Sequence, residues 1–184
     1  AFRGCGALET AIVANTGAVN SSAFYDCVSL KSATLGDKVT SLGNDAFRGC
    51  TSLQEIVIPN SVKSVGTYCF YGCTVMKNAV IGDGLTNVKE YTFANCGLEE
   101  ILIGDNITSI GDYAFKGCTG MKHAVLGNGL TIVNGTMFSG CIGLEKVEMG
   151  NKIRTLAANA FSGCSALKDV ALGSSVATIN NYAF

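Results

Sequence analysis

Cysteine is the residue type in this chain whose spacing most invites a chemical interpretation. Nine cysteines are present, and eight of them recur at intervals of 22 or 23 residues. A regular thiol column predicts free thiols packed in a core, a disulfide framework or a metal store. We favour buried structural thiols, because free cysteine packs as a small hydrophobe and the closest spacing, Cys69 to Cys73, is not a C-x-x-C pair. The periodic cysteines are Cys5, Cys27, Cys50, Cys73, Cys96, Cys118, Cys141 and Cys164.

His123 is the only histidine and therefore the only candidate for a histidine base. A catalytic base needs a nucleophile within reach. The residues one period away from His123 are Glu100 and Lys146, which supply none, so we interpret His123 as a surface residue. No nucleophile elbow, phosphate-binding loop or paired-carboxylate motif stands out. We therefore predict no enzymatic activity, no catalytic residue, no cofactor and no metal.

The elements that position these residues follow from phenylalanine. All nine phenylalanines recur at the same 22- or 23-residue spacing, and each of the first eight lies three residues before a cysteine. Such a period indicates a tandem repeat and predicts a leucine-rich-repeat solenoid, in which the phenylalanines stack between coils. The positions are Phe2, Phe24, Phe47, Phe70, Phe93, Phe115, Phe138, Phe161 and Phe184.

One repeat, from Leu53 to Cys73, shows how each coil should be built. In its opening L-x-x-I-x-I block, leucine and isoleucine stand at spaced positions that alternate near the end of the block, which predicts a short strand with one buried face. Pro59 and Asn60 form the following turn, and Val62 and Val65 begin the return path. We interpret the closing small-Phe-x-x-Cys segment as a helical or 3₁₀ turn. The expected fold class is thus an α/β-type curved solenoid, right-handed, with a parallel β-sheet on its concave face and short helical or irregular convex segments.

This pattern resembles the BspA-like (treponemal-type) leucine-rich repeats, and the resemblance covers essentially the whole chain. The matching positions include Leu53, Ile56, Ile58, Val62 and Val65, followed by the Phe70 and Cys73 pair. Glycine replaces the usual proline after most strands. The resemblance implies a cell-surface or secreted protein used in adhesion and interaction, and it implies no enzymatic activity and names no ligand.

Composition and chain ends set further expectations. The net charge is -1 and 15% of residues are charged, so no basic surface for nucleic acid is expected. No apolar run reaches the roughly 18 residues of a membrane span. The chain opens and closes inside repeats, at Ala1-Phe2 and Ala183-Phe184. Because solenoids normally carry polar caps, we expect residues 1–184 to be a single uncapped solenoid of about eight repeats within a longer protein.

The outward positions of the predicted strands carry the candidate binding site. One outward column is polar, whereas the other is mostly apolar and includes Val57, Val80, Leu102 and Val125 in four adjacent coils. Strand propensity alone can explain exposed valines, but a contiguous apolar patch is also typical of a contact surface. The predicted ligand-binding residues are Val57, Val80, Leu102 and Val125, with Glu100 and His123 on the rim.

These observations favour a non-enzymatic recognition or adhesion module that binds a protein, such as a host or matrix protein, on its concave face. The alternative is a structural spacer or self-associating segment without a specific ligand. The two hypotheses differ in what they expect of Val80→Glu, Leu102→Glu. A binding module would lose its partner and stay folded, whereas a self-associating segment would lose its dimer.

Overall fold

A stack of coils makes up residues 2–184, the part of the chain that the computed structural model describes. Each coil opens with a strand where the apolar spacing predicts one, and the strand Glu55–Ile58 begins two residues after Leu53. The last of these long strands has three residues and the others have four. The long strands are β1 (Thr10–Val13), β3 (Ser32–Leu35), β5 (Glu55–Ile58), β7 (Asn78–Ile81), β9 (Glu100–Ile103), β11 (His123–Leu126), β13 (Lys146–Met149) and β15 (Asp169–Ala171).

A second set of strands, each two residues long, lies on the return path of every coil. The apolar spacing of this segment predicted a return path but no strands. The inner residue of most of these strands, such as Val65 or Val88, is buried, while the backbone pairs with neighbouring coils. The short strands are β2 (Ala18–Val19), β4 (Ser41–Leu42), β6 (Ser64–Val65), β8 (Asn87–Val88), β10 (Ser109–Ile110), β12 (Ile132–Val133), β14 (Thr155–Leu156) and β16 (Thr178–Ile179).

All strand pairs are parallel, which confirms the predicted parallel sheet. Their register advances by one repeat, as in Thr10 opposite Ser32 and His123 opposite Lys146. The long-strand ladder is interrupted between β3 and β5 and between β7 and β9. Backbone bonds still link these coils, since the Glu99 amide donates to the Lys77 carbonyl at 3.2 Å. The second interruption adjoins Cys96-Gly97-Leu98, where one residue separates cysteine from leucine and not two, as in Cys50 to Leu53.

The predicted helical convex segments are wrong, because residues 2–184 contain no helix. Amides in the small-Phe-x-x-Cys segment alternate between two kinds of acceptor. The Phe70 amide donates to Thr92 of the next coil at 2.9 Å, and the Tyr71 amide donates to Tyr68 at 3.1 Å, closing a turn. Tyr68 also has φ of 56°, in the left-handed region, which a right-handed helix does not tolerate. The segment is therefore a series of turns bonded to the next coil.

The phenylalanine column forms a continuous stack through the core, as predicted. Successive ring centroids lie 5.0–5.7 Å apart, and the rings are nearly parallel. The rings from Phe24 to Phe161 are buried, whereas Phe2 and Phe184 at the two ends are exposed. Because each inner ring packs against one ring on either side, this stack holds successive coils in register.

The cysteine column lies beside this stack and explains why a thiol recurs there. Cys96 Sγ donates to the carbonyl oxygen of Phe70 in the preceding coil at 3.0 Å, and Cys118 Sγ donates to that of Phe93 at 3.1 Å. The same contact recurs for every periodic cysteine from Cys27 to Cys164, at 2.9–3.3 Å. The prediction that this column packs as core is confirmed for most of its members, although Cys5 is exposed and Cys164 is half-buried.

Close contact between coils makes one turn glycine sensitive to substitution. A Cβ atom at position 84 would lie 2.7 Å from the Val62 carbonyl oxygen and closer still to that of Asn60. We expect Gly84→Ala to lower the free energy of unfolding by about 1–3 kcal/mol through this overlap. Urea denaturation followed by circular dichroism measures the loss. Gly17→Ala is the matched control, since its Cβ would meet nothing nearer than Thr40 Oγ1 at 3.8 Å, and an equal loss there would contradict the prediction.

Candidate functional site

The outward face of the long-strand sheet carries the predicted site residues. Alternation along each strand places the second and fourth residues toward the core and the first and third toward the outside. In β5 the inward residues Ile56 and Ile58 are buried, while Glu55 and Val57 are exposed. The sequence pattern therefore fixes which side chains the sheet presents outward.

An apolar stripe, defined as Val57, Val80 and Leu102, occupies the third position of three successive long strands. These side chains are 56%, 56% and 67% exposed, respectively. Val57 is opposite Val80 in the β5–β7 register, and Leu102 is opposite Val125 in the β9–β11 register. Val125, the fourth predicted residue, is half-buried. The exposed apolar surface is thus centred on the coils of β5, β7 and β9.

A charged cluster closes the stripe on the side of β13. Glu148 takes the stripe position in that strand, and its Oε1 atom lies 2.6 Å from Lys146 Nζ and 3.1 Å from His123 Nε2. The hydrogen bond from Lys146 lowers the pKa of Glu148 and raises that of Lys146. Glu100 is opposite His123 in the strand register, as expected for two rim residues. The His123 ring contacts Glu148, so His123 marks the boundary of the apolar surface.

The buried thiols have no role at this surface. Burial raises the pKa of Cys118 to about 12, and it also raises the pKa values of Cys50, Cys96 and Cys141. These groups therefore stay protonated near neutral pH, where a thiolate would be needed for nucleophilic chemistry. Within residues 2–184, no cluster of three histidine, cysteine or acidic side chains has the geometry to hold a metal ion.

A column of alternating charge at the start of the long strands was missed in the sequence analysis. Lys31 Nζ lies 3.0 Å from Glu9 Oε2, and Lys77 Nζ lies 2.8 Å from Glu99 Oε1 in the adjacent coil. Comparing residues one repeat apart reveals this column, because the alternation of charge is present in the sequence itself. The column is Glu9, Lys31, Gln54, Lys77, Glu99, Lys122, Glu145 and Lys168.

An aromatic strip lies on the turns of three successive coils. Tyr68, Tyr91 and Tyr113 stack with centroids 4.7 Å and 4.9 Å apart. The Arg48 guanidinium lies 5.2 Å from the Tyr68 ring, and Lys116 Nζ lies 5.1 Å from the Tyr113 ring. Cations thus cover the outer ring faces of this three-ring stack, which favours a packing role for it. The column position is visible in the sequence, but the left-handed backbone that aims these rings is not.

Comparison with known families agrees with the coil geometry. The profile of the BspA type leucine-rich repeat region matches residues 1–122 and 86–184, with six copies. The chain belongs to the BspA-type leucine-rich-repeat family. No curated protein is significantly similar to it in sequence. Leucine-rich-repeat families generally serve as protein-interaction or surface modules, and their solenoids are typically non-enzymatic.

Solved structures of bacterial proteins show the same architecture. This BspA-type chain is 26% identical to the T. pallidum leucine-rich repeat protein TpLRR, with a TM-score of 0.81, over 88% of this chain and 78% of that one. It is 23% identical to a Bacteroides ovatus leucine-rich repeat protein, with a TM-score of 0.58, over 100% and 66% of the two chains. The pneumococcal vaccine antigen PcpA is 17% identical, with a TM-score of 0.64, over 91% and 51%.

The described part of the BspA-type chain was also compared with the requirements for a membrane-spanning helix. From residue 2 to residue 184, no helix has the length and apolar character needed to cross a bilayer.

Proposed function

We propose that this chain is a non-enzymatic recognition module that binds a protein partner on the outward face of its long-strand sheet. The observation that supports the proposal is the apolar stripe. Its three side chains lie on successive coils, and each is more than half exposed. Contiguous exposed apolar area on a soluble protein typically marks a contact surface. Val57, Val80, Leu102 and Val125 would form the contact.

Glu100 and His123 would form the polar rim of this contact. Interfaces combine an apolar centre with a solvated polar border, and charges at the border select the partner more than they strengthen binding. The His123–Glu148–Lys146 cluster would limit the interface on one side, because burying these charges against an apolar partner costs free energy.

The setting that we propose is the cell surface or the secreted phase, with adhesion to a host or matrix protein. Family membership and the similarity to a pneumococcal vaccine antigen support this setting. We also propose that the chain is a single solenoid of about eight repeats, without division into separate domains.

Binding to a panel of purified matrix proteins, measured by surface plasmon resonance, tests the proposal. We expect the wild-type chain to bind one or more of them and Val80→Glu, Leu102→Glu to bind at least about a hundredfold more weakly, because two buried carboxylates would be left unpaired. The matched control is Ser64→Glu, Ser109→Glu, which adds the same charge at exposed positions of the short strands. Equal loss in both double variants, or no loss in either, would contradict the assignment.

A self-associating segment is the second candidate, supported by the same stripe. Light scattering distinguishes the two, because self-association predicts a wild-type dimer that Val80→Glu, Leu102→Glu converts to a monomer. A recognition module for another protein predicts a monomer in both cases.

A further inference from the structure

The spacing of the apolar stripe suggests what kind of surface fits it, if the stripe binds a partner as proposed above. The stacked phenylalanine and tyrosine rings of successive coils have centroids 4.7–5.7 Å apart, which gives the spacing of the coils. The stripe presents one apolar side chain per coil. An α-helix has a pitch of about 5.4 Å, so a helix lying along the solenoid can place one side chain against each coil. An extended peptide places side chains of one face about 6.7 Å apart and loses register within three coils.

Backbone pairing also favours a helix over a strand. Backbone amides and carbonyls of a strand point along the sheet and not out of its face. Those of β5 and β7, and those of β9 and β11, pair within the sheet. A partner strand laid across the outward face would find no ladder of free backbone groups there. A helix satisfies its own backbone and needs only side-chain contacts.

Charge beside the stripe adds a second requirement on the partner. Glu55 and Glu100 are exposed in the outward column next to the stripe, with Asn78 between them. In residues 2–184 neither carboxylate lies in an ion pair, whereas the nearby Lys77 is paired with Glu99 and Lys146 with Glu148. The border of the stripe therefore carries two negative charges that no ion pair compensates. They are two coils apart, or about 10 Å.

We infer that the partner presents an amphipathic α-helix with a basic flank. Its apolar residues would recur at i, i+4 and i+7 to meet Val57, Val80 and Leu102. Two lysines or arginines seven residues apart, about 10.5 Å along the helix, would face Glu55 and Glu100. Helix-in-groove recognition uses this same periodicity of anchors.

Two stapled 18-residue helical peptides test the inference, with leucine at i, i+4, i+7 and i+11 and either two lysines or two glutamates on the flank. Fluorescence anisotropy at low salt measures their binding to the full chain. We expect the basic peptide to bind about tenfold more tightly than the acidic one, and about 0.5 M salt to reduce this difference. Glu55→Lys, Glu100→Lys should reverse the preference. An unstapled peptide of the same length and charge, with leucines and prolines alternating so that it cannot form a helix, should bind far more weakly than either helix.

The outcomes separate this inference from the proposed function. Three results would overturn the basic amphipathic helix as the partner. They are equal binding of the two helices, absence of helix binding, and a preference that the Glu55→Lys and Glu100→Lys double variant leaves unchanged. The proposed function would still stand if matrix-protein binding were lost in Val80→Glu, Leu102→Glu. It would fail separately if that variant left matrix-protein binding intact. Far-ultraviolet circular dichroism confirms that each variant is folded.

Discussion

Replacing Phe93 with alanine should lower the free energy of unfolding by about 3–5 kcal/mol. The ring is fully buried and stacks on Phe70 and Phe115, with centroids 5.3 Å and 5.7 Å away. Removing it leaves a cavity between coils that the backbone cannot close, because every coil is bonded to both neighbours. Urea denaturation followed by circular dichroism gives the change in stability.

Phe184→Ala is the matched control for that substitution. Its ring is 56% exposed and stacks only on Phe161, so less apolar area is lost. We expect a loss of about 1 kcal/mol or less at this position. Similar losses at the two positions would show that the ring stack does not hold the coils together.

Alkaline pH should destabilise the fold through the cysteine column. The pKa of Cys118 is raised by burial to about 12, above the unperturbed value near 9. Between these pH values an unfolded thiol loses its proton while the folded thiol keeps it, so the native state binds more protons. Stability is therefore intact below about pH 9 and falls as pH rises toward 12, by about 1.4 kcal/mol per pH unit for each such thiol.

Urea denaturation at several pH values between 8.5 and 11 measures this loss. Cys118→Ser should reduce the slope of stability against pH by about 1.4 kcal/mol per unit, because one titrating group is gone. Ser64→Ala removes an exposed side chain that does not titrate in this range and should leave the slope unchanged. A slope that responds equally to both substitutions would contradict the buried-thiol account.

Much of this fold was predictable because each residue recurs at a fixed phase. The spacing of Phe70 and Cys73 in their repeat, copied along the chain, predicted the ring stack and the thiol column. Alternation in Glu55–Ile58 predicted the sheet and its outward face. Such predictions hold because a buried position requires the same type of residue in every repeat. The recurrence of that residue type is visible in the sequence.

The features of the fold that were missed depend on backbone bonding and not on burial. The helical turn predicted near Phe70 fails because its amide pairs with Thr92 of the next coil, a contact that no local propensity contains. The left-handed φ of Tyr68 is equally hidden, since tyrosine rarely adopts it. At the candidate site the outward positions of Val57, Val80 and Leu102 follow from strand alternation, whereas the partial burial of Val125 does not. The contact of Glu148 with His123 joins different columns and could not be predicted from either.

Photo-crosslinking from the stripe tests the central claim most directly. A benzoylphenylalanine replaces Val80 in one variant and Ser64, on the exposed side of a short strand, in another. Each variant is mixed with an extract of extracellular matrix and irradiated. The proposed recognition surface predicts a discrete adduct from position 80 that unlabelled wild-type chain competes away, and none from position 64. Adducts from position 64 alone, or equally from both positions, would contradict it.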